Sequence, residues 1–182
     1  GTEEHASVAQ TYNNMANVLN NQAKHDDAME MHHKCLAIQL KVLEPDHPSI
    51  ARTYNNMANV FRHQKDYGKS LEYHRKALAI KERVHGPRHP DTAISHLNMG
   101  AVFGSQGDHA GALEAFGKAL AIREQVFGPQ SEDVGKTCKA MADAHEAQGE
   151  REQARAFYGR AAAAYAAALG PEHERTVEAR GR

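Results

Sequence analysis

Thirteen histidines lie along these 182 residues, and imidazole is the commonest protein ligand for transition metals. A metal centre needs several ligands converging on one point, so spacing decides whether they form one. Eight of the histidines fall into sets: His5, His47, His89 and His173; His25 and His109; His32 and His74. Every step within a set is 42 residues or twice that. Side chains repeated at a fixed register serve a repeated structural unit, so these read as structural rather than ligating. His85 and His89 have the i, i+4 spacing of a helical ligand pair, but Gly86 and Pro87 interrupt any helix between them. There is no HExxH, no CxxC, no phosphate-binding glycine loop and no nucleophile elbow. Cys35 and Cys138 fit no metal or redox spacing, and two free thiols point to a reducing compartment, the cytosol. The residues therefore predict no enzyme, no metal and no cofactor.

Composition narrows the partners. Hydrophobic residues make up 41% and charged residues 25%, with a formal net charge of −1, so no global field draws the chain to nucleic acid or an anionic membrane. The longest apolar run, Ala161 to Leu169, is mostly alanine and far too short to span a bilayer. No signal peptide precedes Gly1, and the missing initiator Met suggests an excised fragment.

The 42-residue step extends well beyond histidine. It relates Met15, Met57, Met99 and Met141, then Gln22, Gln64, Gln106 and Gln148, then Pro45, Pro87, Pro129 and Pro171. Four units follow, 5–46, 47–88, 89–130 and 131–172, with 173–182 as a truncated fifth repeat or capping helix. Each unit reads as two helices. Leu71, Ala77, Leu78, Ile80 and Val84 carry the apolar stripe of the second helix in unit two. His89-Pro90-Asp91 opens a helix, since proline suits the first turn and an acid suits the positive end of the dipole. Gly107-Asp108 and Gly149-Glu150 mark the turn within a unit; Gly-Pro at 86–87, 128–129 and 170–171 marks its end. First helices are expected over 6–23, 48–65, 90–107 and 132–149, second helices over 26–43, 68–85, 110–127 and 152–169, with a short one after Pro171. The four methionines of the repeated set are expected in the core, as are Ala58, Phe61, Leu78 and Ile80.

One hairpin of this kind cannot bury both faces, so neighbours stack, and the predicted fold is an all-α solenoid of antiparallel hairpins over 5–172. Tyr54, Met57-Ala58 and Phe61, followed by Ser70 and His74, resemble the small–large order of the tetratricopeptide repeat. So do His96, Met99-Gly100 and Phe103, followed by Ala112 and Phe116. HEAT and armadillo repeats have about this length but lack that order. The 42-residue block, with its His-Pro opening, paired Asn, Gln before the turn and Ala-Leu-Ala-Ile-Lys/Arg-Glu segment, is similar to the repeats of kinesin light chains. Unit four departs from it: Ser131 replaces His, and Lys139-Ala140 replaces the Asn pair.

The resemblance implies a tetratricopeptide superhelix whose first helices line a concave groove that binds extended peptides. In unit one Asn13, Asn17, Asn20 and Asn21, with Gln10, share one helical face. Asparagine costs a helix roughly half a kcal/mol relative to alanine, so four on one stripe need a reason; an amide both donates and accepts, and grips any peptide backbone. The matching stripe holds Arg52, Asn55, Asn59, Arg62 and His63 in unit two, Ile94, Leu97, Ala101, Gly104 and Ser105 in unit three, and Lys136, Lys139, Asp143 and Glu146 in unit four. Unit two has nine Lys or Arg against three Asp or Glu, partly on the solvated face of its second helix. Asn14, Asn56 and Asn98 weigh toward bonding within and between helices, Asn13, Asn55 and Asn59 toward a ligand. The candidate peptide-binding set is Asn13, Asn17, Arg52, Asn55, Asn56, Asn59, Arg62, Ile94, Leu97 and Asn98, and the expected ligand is an acidic peptide bearing one large apolar residue.

That reading makes the chain a non-catalytic, cytoplasmic adaptor for other proteins or their peptides. A structural subunit of a cytoskeletal or axonemal multiprotein assembly, held through its convex surface or open ends, is the alternative. The alanine-rich stretch around Arg160 to Tyr165 would suit such packing. Nucleic acid is disfavoured because no aromatic stacking platform accompanies the basic residues, and no membrane partner is expected.

Overall fold

The computed structural model describes residues 2–182, with side chains from His5 onward. All the regular elements among them are helices: α1 (Thr2–Asn21), α2 (His25–Val42), α3 (Pro48–His63), α4 (Tyr67–His85), α5 (Pro90–Gln106), α6 (His109–Phe127), α7 (Glu132–Ala147), α8 (Arg151–Leu169) and α9 (Glu174–Arg180). The expected helix order holds, with ends displaced by a few residues. The chain separates into two compact units at the boundary between the second and third repeats, 1–87 and 88–182. The first contains the hairpins α1–α2 and α3–α4, the second α5–α6, α7–α8 and α9.

Histidine caps α3, α5 and α9 because its ring replaces a missing backbone partner. Nδ1 of His47, His89 and His173 accepts the N–H of Ser49, Asp91 and Arg175 at 3.1, 3.2 and 3.3 Å, which satisfies one donor left open in a first turn. Ser131 does the same in the fourth repeat, its Oγ accepting from Val134 at 3.3 Å. The turn inside each hairpin needs a left-handed residue. Gly107 and Gly149 supply it at φ 83° and 79°, whereas Ala23 and Lys65 adopt it at 60° and 62° despite their side chains.

In the first unit Met57 and Val60 of α3 pack with Ala28 and Met29 of α2, and Ile50 and Ala51 with Ala77 and Ile80. Ser70 Oγ donates to the carbonyl of Ala58 at 2.8 Å, tying α4 to α3. In the second unit Phe116, Leu120, Met141 and Tyr165 centre the largest core. Arg123 is buried there, and its Nη1 donates to the carbonyl of Asp133 and to Oγ1 of Thr137 at 2.8 and 2.9 Å. Met57, Ala58, Ile80 and Met141 are buried as expected. Four expectations are corrected: Phe61, Leu78 and Met99 are only half-buried, and Met15 is 47% exposed. Phe61 sits near the hairpin turn, tilted against Tyr73 at 5.2 Å between ring centres and flanked by Lys69. Met15 is on the outermost face of α1, where no helix among the described residues covers it.

Candidate functional site

A first helix in this fold has four sides. One packs on its own hairpin partner, one on the helix before it, one on the next first helix, and the fourth stays open. In α1 Ala9, Asn13 and Ala16 are all buried; Asn13 meets α3, whereas Ala9 and Ala16 stand at the register of Ala51 and Ala58, which pack on their own hairpin partner α4. The open side is Gln10, Asn14 and Asn17. This corrects the predicted stripe: Asn13 is 3% exposed and its Oδ1 accepts from Asn56 Nδ2 at 3.1 Å. It is a fastener between α1 and α3. Asn14, expected to bond internally, is exposed and accepts from Gln10 Nε2 at 2.8 Å. A one-residue error in helical phase, 100° of rotation, accounts for the exchange.

The open face of the first unit is a connected polar sheet. Arg52 Nη2 donates to Gln10 Oε1 at 2.5 Å, and Gln10 passes the bond on to Asn14. Asn17 is exposed beside them, and Asn55, Asn56 and Asn59 are half-buried. At the hairpin end, Asn20 Oδ1 lies 3.0 Å from Nδ1 of His25 and 3.2 Å from Nδ1 of His63. Arg62 Nη2 contacts His63 Nε2 at 3.3 Å. Burial, with Arg62 and His25 as charged or chargeable neighbours, holds His63 below its ordinary pKa, so its ring stays neutral and the positive charge of this face rests on Arg52 and Arg62. Much of the remaining basic excess is spent elsewhere: Lys69 pairs with Asp66, Lys76 with Glu72 and Arg83 with Asp46.

The second unit presents different chemistry. Between α5 and α7 lies a cleft of about 260 Å³, walled by Ala101, Gly104, Ala140 and Ala147 and floored by Phe116. His109 and Asp143 supply polar groups on its lining. The sequence placed Ala101 and Gly104 on the stripe of unit three and Asp143 on that of unit four, but did not bring Phe116 and His109 of α6 to the same cleft. The structure also separates the two predicted anchors. Ile94 is 40% exposed, whereas Leu97 packs into the cores around Phe116 and around Ala93. Leu97 stands at the same register as Asn13 and Asn55, which turns it toward the core, half-buried, where Ile94 stands open. Asn98 is half-buried, next to the cleft residues Gly100 and Ala101 in sequence.

Asp143 is held in place from two sides: Tyr158 donates its hydroxyl to Oδ1 at 2.6 Å, and Lys139 reaches Oδ2 at 3.2 Å. Tyr158 also donates to Glu146 at 2.9 Å. Burial and these two carboxylates push the Tyr158 hydroxyl well above the ordinary tyrosine range, so it remains a donor. Both thiols are buried, and that burial raises the pKa of each, which removes the thiolate reactivity a catalytic or redox cysteine needs. Among the described residues, no three His, Cys, Asp or Glu side chains are grouped as metal ligands would be. No described helix is long and apolar enough to cross a membrane.

Comparison with known proteins gives a consistent fold. The family model "Tetratricopeptide repeat" matches residues 7–82, 49–125 and 101–167. No curated protein matches. Among solved structures, BtubC (BKLC) from P. vanneervenii is similar with a TM-score of 0.78 at 24% identity, covering 87% of this chain and 63% of that one. The nearly identical TPR-like repeats of a Podosopora anserina protein described as a kinesin light chain align with a TM-score of 0.80 at 20% identity over 97% of this chain and 83% of theirs. Aspartyl phosphate phosphatase F from Bacillus subtilis aligns with a TM-score of 0.79 at 18% identity, over 90% of this chain and 42% of its own. The chain thus spans less than two thirds of two of these three neighbours.

Proposed function

The chain belongs to the tetratricopeptide repeat family, and from that premise we propose that it is a non-catalytic adaptor that binds extended, acidic peptide segments of partner proteins. The repeats themselves make it a scaffold for protein–protein interaction; the ligand class is the reading the two faces support. The observation that carries it is the bond from Arg52 through Gln10 to Asn14, which fixes a row of amides on the open side of α1 and α3. Fixed amides offer donors and acceptors to a peptide backbone at little ordering cost. Arg52 and Arg62 bring positive charge to that face, and it selects carboxylates. The cleft of the second unit accepts an apolar side chain by itself, and small residues along its walls leave room for a branched or aromatic one. A kinesin light chain-like role, docking cargo peptides, is the specific form of this proposal.

Fluorescence anisotropy with a labelled acidic peptide carrying one leucine tests it. Wild type should bind more weakly as salt rises, because charge at an exposed face is screened over about 8 Å at physiological ionic strength. Arg52→Glu with Arg62→Glu should weaken binding and remove the salt dependence; Asn17→Ala with Asn59→Ala should weaken it at every salt concentration. Unchanged binding by both pairs of variants would refute the open-face reading and favour a structural subunit held through other surfaces.

A further inference from the structure

The cleft of the second unit occupies a place that the first unit fills with polar side chains. Between α1 and α3, Asn20 Oδ1 bridges Nδ1 of His25 and Nδ1 of His63, and the two imidazole rings lie 5.6 Å apart. Two repeats later the same registers read Gly104, His109 and Ala147. Only the histidine of the second helix is kept. The amide and the other imidazole are gone, and the hollow of about 260 Å³ stands in their place. No neighbouring atom lies within 4 Å of where a methyl on Gly104 would be, so nothing has moved in to take the space.

The wall has also changed its charge. Where the first unit has the neutral amide of Asn59, the second has the carboxylate of Asp143. That carboxylate keeps acceptor capacity, because each of its oxygens can take two bonds. Oδ1 accepts from Tyr158 at 2.6 Å, but the same hydroxyl stands 2.9 Å from Glu146 and has one proton for the two. Oδ2 meets Lys139 at 3.2 Å in a solvent-accessible i, i+4 pair, and Lys139 also lies 3.6 Å from Glu178. Such a pair is weak and yields to a better-matched donor.

These features define the group that fits. It must be planar, to lie beside His109 as His63 lies beside His25. It must donate, since a carboxylate only accepts, and positive charge suits it best. Its stem must be apolar, to pass Ala101, Gly104, Ala140 and Ala147. Leucine meets only the last requirement, lysine is not planar, and tryptophan and tyrosine are uncharged. Arginine meets all three. The same unit already packs guanidinium on aromatic rings: Arg160 lies 5.2 Å from the ring centre of Phe157, and Arg182 5.8 Å from that of Tyr158.

We propose that the cleft between α5 and α7 is a binding site for an arginine side chain of a partner peptide, with its methylene stem against the alanine walls and its guanidinium beside His109 and hydrogen-bonded to Asp143. This rests on the reading that the cleft receives a partner's side chain, and it makes Asp143 the residue that selects which one. It does not depend on the open face of the first unit.

The probe is a capped alanine peptide with one central arginine, titrated into the full 15N-labelled chain and followed by 1H–15N spectra. Saturable shifts are expected at the amides of Ala101, Gly104, Ala140 and Ala147. A citrulline peptide, alike in shape but uncharged, should bind about fivefold more weakly, and leucine or tryptophan peptides no better than that. Asp143→Asn keeps an oxygen for Tyr158 and should fold, which circular dichroism verifies. It should bring the arginine peptide down to the citrulline level and leave the citrulline peptide unchanged. Gly104→Asn with Ala147→His rebuilds the arrangement of the first unit and should abolish the shifts with every peptide. Leucine or tryptophan binding as tightly as arginine, or an arginine affinity indifferent to Asp143→Asn, overturns the arginine site while leaving the cleft a receptor for side chains. Absence of shifts with all four peptides, or shifts that survive the rebuilt arrangement, removes the cleft from binding altogether.

Discussion

Gly100 of α5 lies so close to the ring of Phe116 that a methyl group there would stand 2.5 Å from Cδ1. Phe116 is the floor of the cleft in the second unit and is 7% exposed, so it has little room to retreat. Gly100→Ala should therefore destabilise the protein by about 1–3 kcal/mol, the usual cost of overpacking. Urea unfolding measures it. Gly117, in the middle of α6, has no atom within 4 Å of where its methyl would be, and Gly117→Ala should stabilise by about 1 kcal/mol through helix propensity alone. Equal effects at the two sites would show that Phe116 is not pinned.

Gly104 separates stability from function. It is helical, a methyl there would meet nothing within 4 Å, and it lines the cleft. Gly104→Ala should raise stability by about 1 kcal/mol. Gly104→Leu should fill the cleft and reduce binding of a peptide bearing a large apolar residue, with little effect on an all-polar acidic peptide. Isothermal titration of both peptides distinguishes these outcomes; equal affinities for wild type and Gly104→Leu would remove the cleft from the binding site.

The turn residues make a third case. Ala23 and Lys65 adopt the left-handed conformation that Gly107 and Gly149 take at the same register, and a Cβ there costs about 1–2 kcal/mol. Ala23→Gly and Lys65→Gly should each stabilise the first unit by about 0.5–1 kcal/mol, after the greater freedom of glycine in the unfolded chain offsets part of the gain. A lower melting temperature for either would contradict the assignment.

The fold was legible because the 42-residue period is carried by residue types with mechanical roles: histidine caps, turn glycines, and the methionines of the helix interfaces. The same period explains why the site was harder. Periodicity places Asn13, Asn55 and Leu97 at one register and Asn14, Asn56 and Asn98 at the next, but a 100° step between them decides which row faces solvent. Asparagine gives no help, since it is tolerated in either row. Ala9 and Ala16, which flank Asn13 at i−4 and i+3 and are themselves buried, were the signal that Asn13 belongs to the buried half of α1. Met15 misled for another reason: its counterparts Met57 and Met141 are buried beneath a preceding helix, and α1 has no such cover among the described residues. Phe116 and His109 of α6 meet Asp143 of α7 around the cleft, a convergence no single stripe displays.

The last prediction concerns His32 and His74, which occupy the register of Phe116 and Tyr158. Both are almost completely buried, and neither ring nitrogen of either has a hydrogen-bond partner. Burial is the main cause that lowers each pKa to about 4, with His33 adding to it at His32, and Lys81 and Arg62 at His74. Unfolded, each would titrate near the ordinary value of 6.5. The folded state thus binds fewer protons than the unfolded state between these values, so stability falls as pH falls through that window and is fully present above it. At pH 5 the loss should be on the order of 1–2 kcal/mol per histidine relative to pH 7.5. His63, also lowered, adds in the same direction. Because an aromatic ring already fits this register in the second unit, His32→Phe with His74→Phe should fold, stabilise the protein at neutral pH by relieving unpaired nitrogens, and flatten most of the slope between pH 7 and 5. Urea unfolding at three pH values checks it. An undiminished slope in the double variant would mean that other groups, not these two buried rings, set the acid sensitivity.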